Sequence, residues 1–212
     1  MTLSNKFFSL IVASAALVTT TTVISTNVKV ASKASENKGP DSSLFYQFEK
    51  GWNSFAIPLT TSFTARDICT MVTESEKIAT ITANTWEYYD CKENTANFDI
   101  LPNHGYMLKS ASDTTWSLAG VIAGSPYQLT PGLNLAGVSQ TIVDSVYANT
   151  LCDLHTTNNL KVDSISQFEN GRWDYHFCTT PSDNNFQLFP GQAYMINVGL
   201  KNSEAPNIPT LK

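Results

Sequence analysis

Gly51-Trp52-Asn53 opens, and Pro102-Asn103-His104-Gly105-Tyr106-Met107-Leu108 closes, a stretch that returns as Gly132-Leu133-Asn134 and Pro190-Gly191-Gln192-Ala193-Tyr194-Met195-Ile196. Between those ends lie Cys69, Trp86 and Cys91 in the first stretch, and Cys152, Trp173 and Cys178 in the same order in the second. The glycines are offset by 81 positions, the first cysteines by 83, the tryptophans and second cysteines by 87, and the closing prolines and tyrosines by 88. A register that drifts this slowly, with its gaps in loop-like stretches, predicts an internal repeat.

Working outward from those anchors, Gly51 to Leu59 reads as a strand ended by Pro58. Thr64-Ala65-Arg66-Asp67 resembles a capping box, and Ile68, Met71 and Val72 recur on one face of a short helix that carries Cys69. Lys77 to Thr82 and Thr85 to Cys91 follow as strands split by Ala83-Asn84. Their counterparts, Val162 to Phe168 and Arg172 to Cys178, flank Glu169-Asn170-Gly171, and Asn-Gly between strands is a strong hairpin signal. Variable polar loops lead to the closing strands Tyr106 to Lys109 and Tyr194 to Val198, and Thr114 to Val121 reads as a bridging strand into Tyr127. The fold class expected is α+β: two tandem, mainly antiparallel β modules, each with one short helix and one disulfide.

The chain has 212 residues, 42% hydrophobic, enough for two small cores. Charged residues make up only 15%, against about 25% in an average soluble protein, which predicts a neutral, hydrogen-bonding surface. A net charge of −5, with no run of Lys or Arg, argues against nucleic acid, whose binders need a basic footprint.

Lys6 followed by the apolar Phe7 to Val18 reads as an export signal over residues 1–25, with Val23-Ile24-Ser25 or Ser32-Lys33-Ala34 as cleavage sites. The competing reading is a retained anchor, which the cluster Thr19 to Thr22 weakens. Residues 26–43 read as a flexible leader, 44–125 as the first module, 126–200 as the second and 201–212 as a tail. No later segment has the length and apolarity to span a bilayer, so the expectation is a secreted or cell-surface protein, with the periplasm as an alternative. Four cysteines in an exported chain point to two disulfides, and four cysteines allow three pairings. Repeat symmetry selects Cys69 with Cys91 and Cys152 with Cys178. Four reduced thiols or a metal site are the alternatives. The chain has no Cys-x-x-Cys and its histidines are scattered, which argues against zinc.

The Gly51-Trp52-Asn53 opening with Pro58, and the Pro-x-x-(Gly/Ala)-Tyr-Met-(Leu/Ile) closing, resemble the GWN-type repeats of exported and surface-associated bacterial proteins. The resemblance covers most of residues 48–198. It implies surface or adhesion modules and no catalytic residue set. The second copy departs at Leu133, at Val138 and at Ala193.

None of His104, His155 and His176 has a histidine at its equivalent position, and no nucleophile motif such as Gly-x-Ser-x-Gly is present. A structural or solvated role is expected for all three. Glu87, Asp90, Glu93, Asp99, Asp174 and Asp183 contain the carboxylates that glycoside hydrolysis would need, but exposed strand faces and loops account for them equally. No calcium loop or phosphate-binding glycine loop occurs, so neither a metal nor a cofactor is expected. Trp86 shares a strand face with Tyr88, and Trp173 with Tyr175. Because the tryptophans repeat, both pairs are assigned to the core. Trp52 and Trp116 have no matching tryptophan in the second copy and, with His104, are the candidate binding residues. The functional expectation is a non-catalytic secreted structural or adhesive protein acting through protein contacts or self-assembly. The alternative is carbohydrate binding through exposed aromatics, and a hydrolase ranks third.

Overall fold

The computed structural model describes residues 33–34, 41–93, 95–124, 127–139, 146–152, 160–180 and 184–199. In chain order these form β1 (Lys33–Ala34), β2 (Asp41–Phe48), β3 (Gly51–Ala56), α1 (Ala65–Met71), β4 (Ser75–Thr82), β5 (Thr85–Asp90), β6 (Gly105–Ser110) and β7 (Thr114–Val121). β8 (Gly132–Gly137), β9 (Val146–Tyr147), α2 (Ala148–Cys152), β10 (Lys161–Glu169), β11 (Arg172–Phe177), β12 (Gln187–Leu188) and β13 (Ala193–Gly199) follow. With helices of only 7 and 5 residues, the fold is mostly antiparallel β, which corrects the α+β expectation.

Two four-stranded sheets dominate, β3-β6-β4-β5 and β8-β13-β10-β11, with the same order when read from the opening strand. The hairpins form because two-residue turns place left-handed residues where their twist requires them: Ala83 (φ 49°) and Asn84 (φ 64°) in one, Asn170 (φ 49°) and Gly171 (φ 77°) in the other. α1 begins at the expected capping box, in which Thr64 and Asp67 satisfy each other's backbone N–H groups. Ile68 and Val72 of this segment are buried against Ile78, Tyr89 and Tyr106 of the first sheet.

The closing and opening motifs turn out to be hydrogen-bonding devices. Asn53 is fully buried; its Oδ1 accepts from Glu49 N–H at 2.9 Å and its Nδ2 donates to the carbonyls of Glu49 (2.8 Å) and Gly51 (2.9 Å). Asn134 does the same with Thr130 and Gly132, at 2.9, 2.8 and 3.0 Å. The loop each amide grips reaches this shape through Gly51 (φ 103°) and Gly132 (φ 98°), a region that a side chain disfavours. In the closing motif, the hydroxyls of Tyr106 and Tyr194 accept from Leu101 N–H and Phe189 N–H, both at 2.7 Å, and pin the loop that precedes the strand.

The two sheets face each other across one apolar layer. Ala56, Ile81, Trp86 and Met107 from the first meet Leu133, Leu135, Phe168 and Met195 from the second. Two backbone hydrogen bonds close the seam reciprocally: Ala56 N–H donates to Gly191 O and Gly137 N–H to Asn103 O, each at 2.9 Å. A Cβ on Gly137 would collide with that of Ala56, and one on Gly105 would lie 2.7 Å from Ala136 N, so close approach demands the glycines here. The outer face of the first sheet is covered by α1 and by the β2–β7 ribbon, and the outer face of the second by α2.

The disulfides are Cys69–Cys91 and Cys152–Cys178, as repeat symmetry predicts, each tying a helix to the end of an edge strand. β7 covers Thr114–Val121 as expected, but its partner is β2, which starts at Asp41 inside the stretch read as a flexible leader; β1 lies in that stretch too. The export signal and the tail fall outside the described residues.

Replacing Cys69 and Cys91 together by Ser is expected to lower stability by about 3 kcal/mol, because the loop they close spans 22 residues, readable as a lower urea midpoint. Asn134→Ala, which leaves the Thr130 and Gly132 groups without their buried partner, is expected to cost about 2 to 3 kcal/mol in the same assay.

Candidate functional site

Trp116 lies in the core, 7% exposed and stacked on Tyr46 at 5.1 Å, so the expectation of a surface contact there is corrected. Its isolation in sequence has a structural cause: it belongs to the β2–β7 ribbon, which buries its apolar face on the first sheet. Trp52 is half-buried at the margin of the layer between the sheets, where Leu133, its counterpart in the second half, also packs.

His104 is half-buried in the closing turn, its ring 5.3 Å from that of Tyr106 and 4.8 Å from that of Tyr127. Its Nε2 lies 3.3 Å from Thr80 Oγ1. Burial pulls its pKa below the usual histidine range. Tyr127 also lines a surface pocket of about 320 Å³ with Thr60, Leu101, Pro102, Ala123, Gly124 and Gln128. None of these described lining residues is charged, and Thr60, Tyr127 and Gln128 contribute hydroxyl and amide groups. His176 is buried on β11, and His155 lies outside the described residues. The two described histidines thus lie apart in sequence position and element, His104 in the closing turn of the first half beside the Thr80 hydroxyl and His176 on β11 of the second.

Asp90 caps a turn: its Oδ1 accepts from Lys92 N–H at 3.0 Å and Glu93 N–H at 3.2 Å, and Lys77 lies 3.4 Å from Oδ2. These N–H groups, foremost that of Lys92, hold its pKa below the carboxylate range. Glu87, Glu93 and Asp99 are exposed, Asp174 pairs with Arg172 at 3.4 Å, and Asp183 lies outside the described residues. Among the described residues no three His, Cys, Asp or Glu side chains gather to hold a metal, and no helix is long and apolar enough to cross a membrane.

The surface feature that stands out is the edge strand β11. Trp173, Tyr175 and Phe177 alternate along one face; Trp173 packs on Phe168 at 5.1 Å, but Tyr175 and Phe177 run past the covered layer and are 36% and 45% exposed. Their rings lie parallel, 5.9 Å apart and 8° from coplanar orientation. The matching strand β5 carries Trp86 and Tyr88 but ends in Asp90 where β11 has Phe177, and Trp86 is only 8% exposed. Sequence reasoning assigned Tyr175 to the core and passed over Phe177. The readable signal was the exchange of a charged residue for an aromatic one at equivalent places in the two halves.

No family model, curated protein or solved structure matches this chain.

Since His104 takes up its proton more readily in the unfolded chain, stability is expected to be full above pH 6.5 and to decline as pH falls from there toward the depressed folded-state pKa. His104→Gln, which installs the residue found at the equivalent position 192, is expected to flatten that part of the pH–stability curve, measured by urea denaturation between neutral and mildly acidic pH. The carboxylates held by hydrogen bonds titrate at lower pH and would leave this window unchanged.

Proposed function

We propose that the chain is a non-catalytic, exported structural or adhesive protein that works through protein–protein contacts, built as two copies of one disulfide-stapled unit. The observation that carries this reading is the unequal treatment of the two edge strands. An exposed apolar edge is a template for association, and proteins that avoid association place charge there. β5 follows that rule with Asp90, whereas β11 presents Tyr175 and Phe177 to solvent. Aromatic residues of this kind are favoured anchors at protein interfaces.

The two disulfides support an oxidising compartment. The resemblance of the opening and closing motifs to GWN-type repeats supports a surface location. A second reading rests on the same rings, since exposed aromatic planes also stack on sugars, and displacement by soluble glycans would favour it.

The test is surface retention of the exported chain on the cells that secrete it, with washing and immunoblotting. Phe177→Asp, which reproduces the charged edge of β5, is expected to release at least about tenfold more protein, the scale of losing one aromatic anchor. Retention unchanged by Phe177→Asp, in a variant whose disulfides remain oxidised, would refute the protein-contact reading.

A further inference from the structure

The hydrogen-bonding parity of β11 shows which backbone groups its edge offers. In an antiparallel ladder, alternate residues point their N–H and C=O toward the partner strand and the others point away. Arg172 pairs with Glu169 across the two-residue turn, and Cys178 N–H donates to Asp163 O at 2.9 Å, so the even-numbered residues face β10. Trp173, Tyr175 and Phe177 therefore turn their backbone groups to the outer edge. The chain beyond β11 occupies one end of that edge: Asn184 Nδ2 donates to Tyr175 O at 3.3 Å, and Thr180 N–H to Phe177 O at 3.0 Å. Among the described residues no such cap is found at the Trp173 end.

Charge and shape at that end are complementary to themselves. Arg172, 75% exposed, and Asp174 share one face of the strand, flank Trp173, and carry opposite charges. Gly171, at the turn, has open space where a side chain would stand. A twofold axis through Trp173 sets Trp173 opposite its own copy, Arg172 opposite Asp174 twice, and the Tyr175 ring over Gly171 twice. Opposite charges facing each other across strands, and an aromatic ring covering a glycine, are both stabilising arrangements. A register centred on Asp174 would instead oppose two carboxylates.

We propose that the Trp173 end of β11 is a self-association edge, through which two copies of this chain pair antiparallel about a twofold axis at Trp173, with the Asn184 and Thr180 contacts marking where the paired edge stops. This rests on the protein-contact reading above and names its partner. Pairing of this isologous kind uses the same patch on both copies and closes at a dimer. The Tyr175–Phe177 pair then lies against the partner's hairpin turn, where its exposed area leaves water.

Sedimentation velocity of the full exported chain over a range of concentrations tests the proposal. The expected result is a concentration-dependent species of twice the monomer mass, lost in Arg172→Asp and in Asp174→Arg, and regained when both substitutions are combined in one chain. Arg172 is exposed and Asp174 half-buried, and circular dichroism with non-reducing peptide mapping checks that each variant is folded and oxidised. A chain that stays monomeric, a dimer indifferent to both single substitutions, or a double variant that fails to recover pairing would each overturn the proposal. If the chain is monomeric while Phe177→Asp still frees it from cells, self-pairing alone falls and the protein-contact reading stands.

Discussion

The structure depends on the reciprocal seam between its two sheets. Ala56 and Gly137 each send a backbone N–H across to the closing turn of the opposite half, and the two residues touch where a second Cβ would not fit. A buried N–H without a partner is costly, so the seam fixes the relative position of the halves to within hydrogen-bonding tolerance. The acceptors, Asn103 O and Gly191 O, are available because both residues are left-handed, with φ of 58° and 91°. The apolar layer supplies the burial that drives the sheets together. The two hydrogen bonds decide where they stop.

The motifs that mark the sequence have a place in this geometry. Asn53 and Asn134 hold the chain as it enters the opening strands, and Tyr106 and Tyr194 hold it as it enters the closing strands adjacent in each sheet. Those strands meet the other half at the seam, so each motif positions a strand whose backbone must arrive in register. The residue between Gly and Asn is free to be Trp52 or Leu133, because all it must do is fill apolar space between the sheets. That is why a motif so plain in sequence tolerates a large change at its middle position.

Local elements were legible wherever the governing interaction is local. The capping box at Thr64, the turn at Asn170-Gly171 and the limits of β7 follow from nearest-neighbour chemistry, and the disulfide pairing follows from comparing the two halves. The partner of β7 was not legible, since β2 lies more than sixty residues upstream and the period-two apolarity of Leu44, Tyr46 and Phe48 does not say which strand it joins. Trp116 was misplaced for the same reason: its burial depends on that distant pairing. The aromatic strip on β11 was half legible. Period two placed Trp173 and Tyr175 on one face, but how far the facing sheet extends over that face is a property of the packing, and Phe177 lies past its margin.

The placement of the disulfides bears on whether β11 is suited to contact. Cys178 follows the last residue of the strand directly and is bonded to Cys152 of α2, while the tight turn at Asn170-Gly171 closes the other end. An edge held at both ends is already extended and has little conformational freedom left to lose when another strand is added. The ordering entropy that weakens association of a loose segment is thus largely absent here. β5 is stapled in the same way through Cys91, so rigidity alone does not select an interface. The two rigid edges differ in what they display: a carboxylate committed to its own turn on β5, and two uncovered rings beside a self-complementary pair of charges on β11.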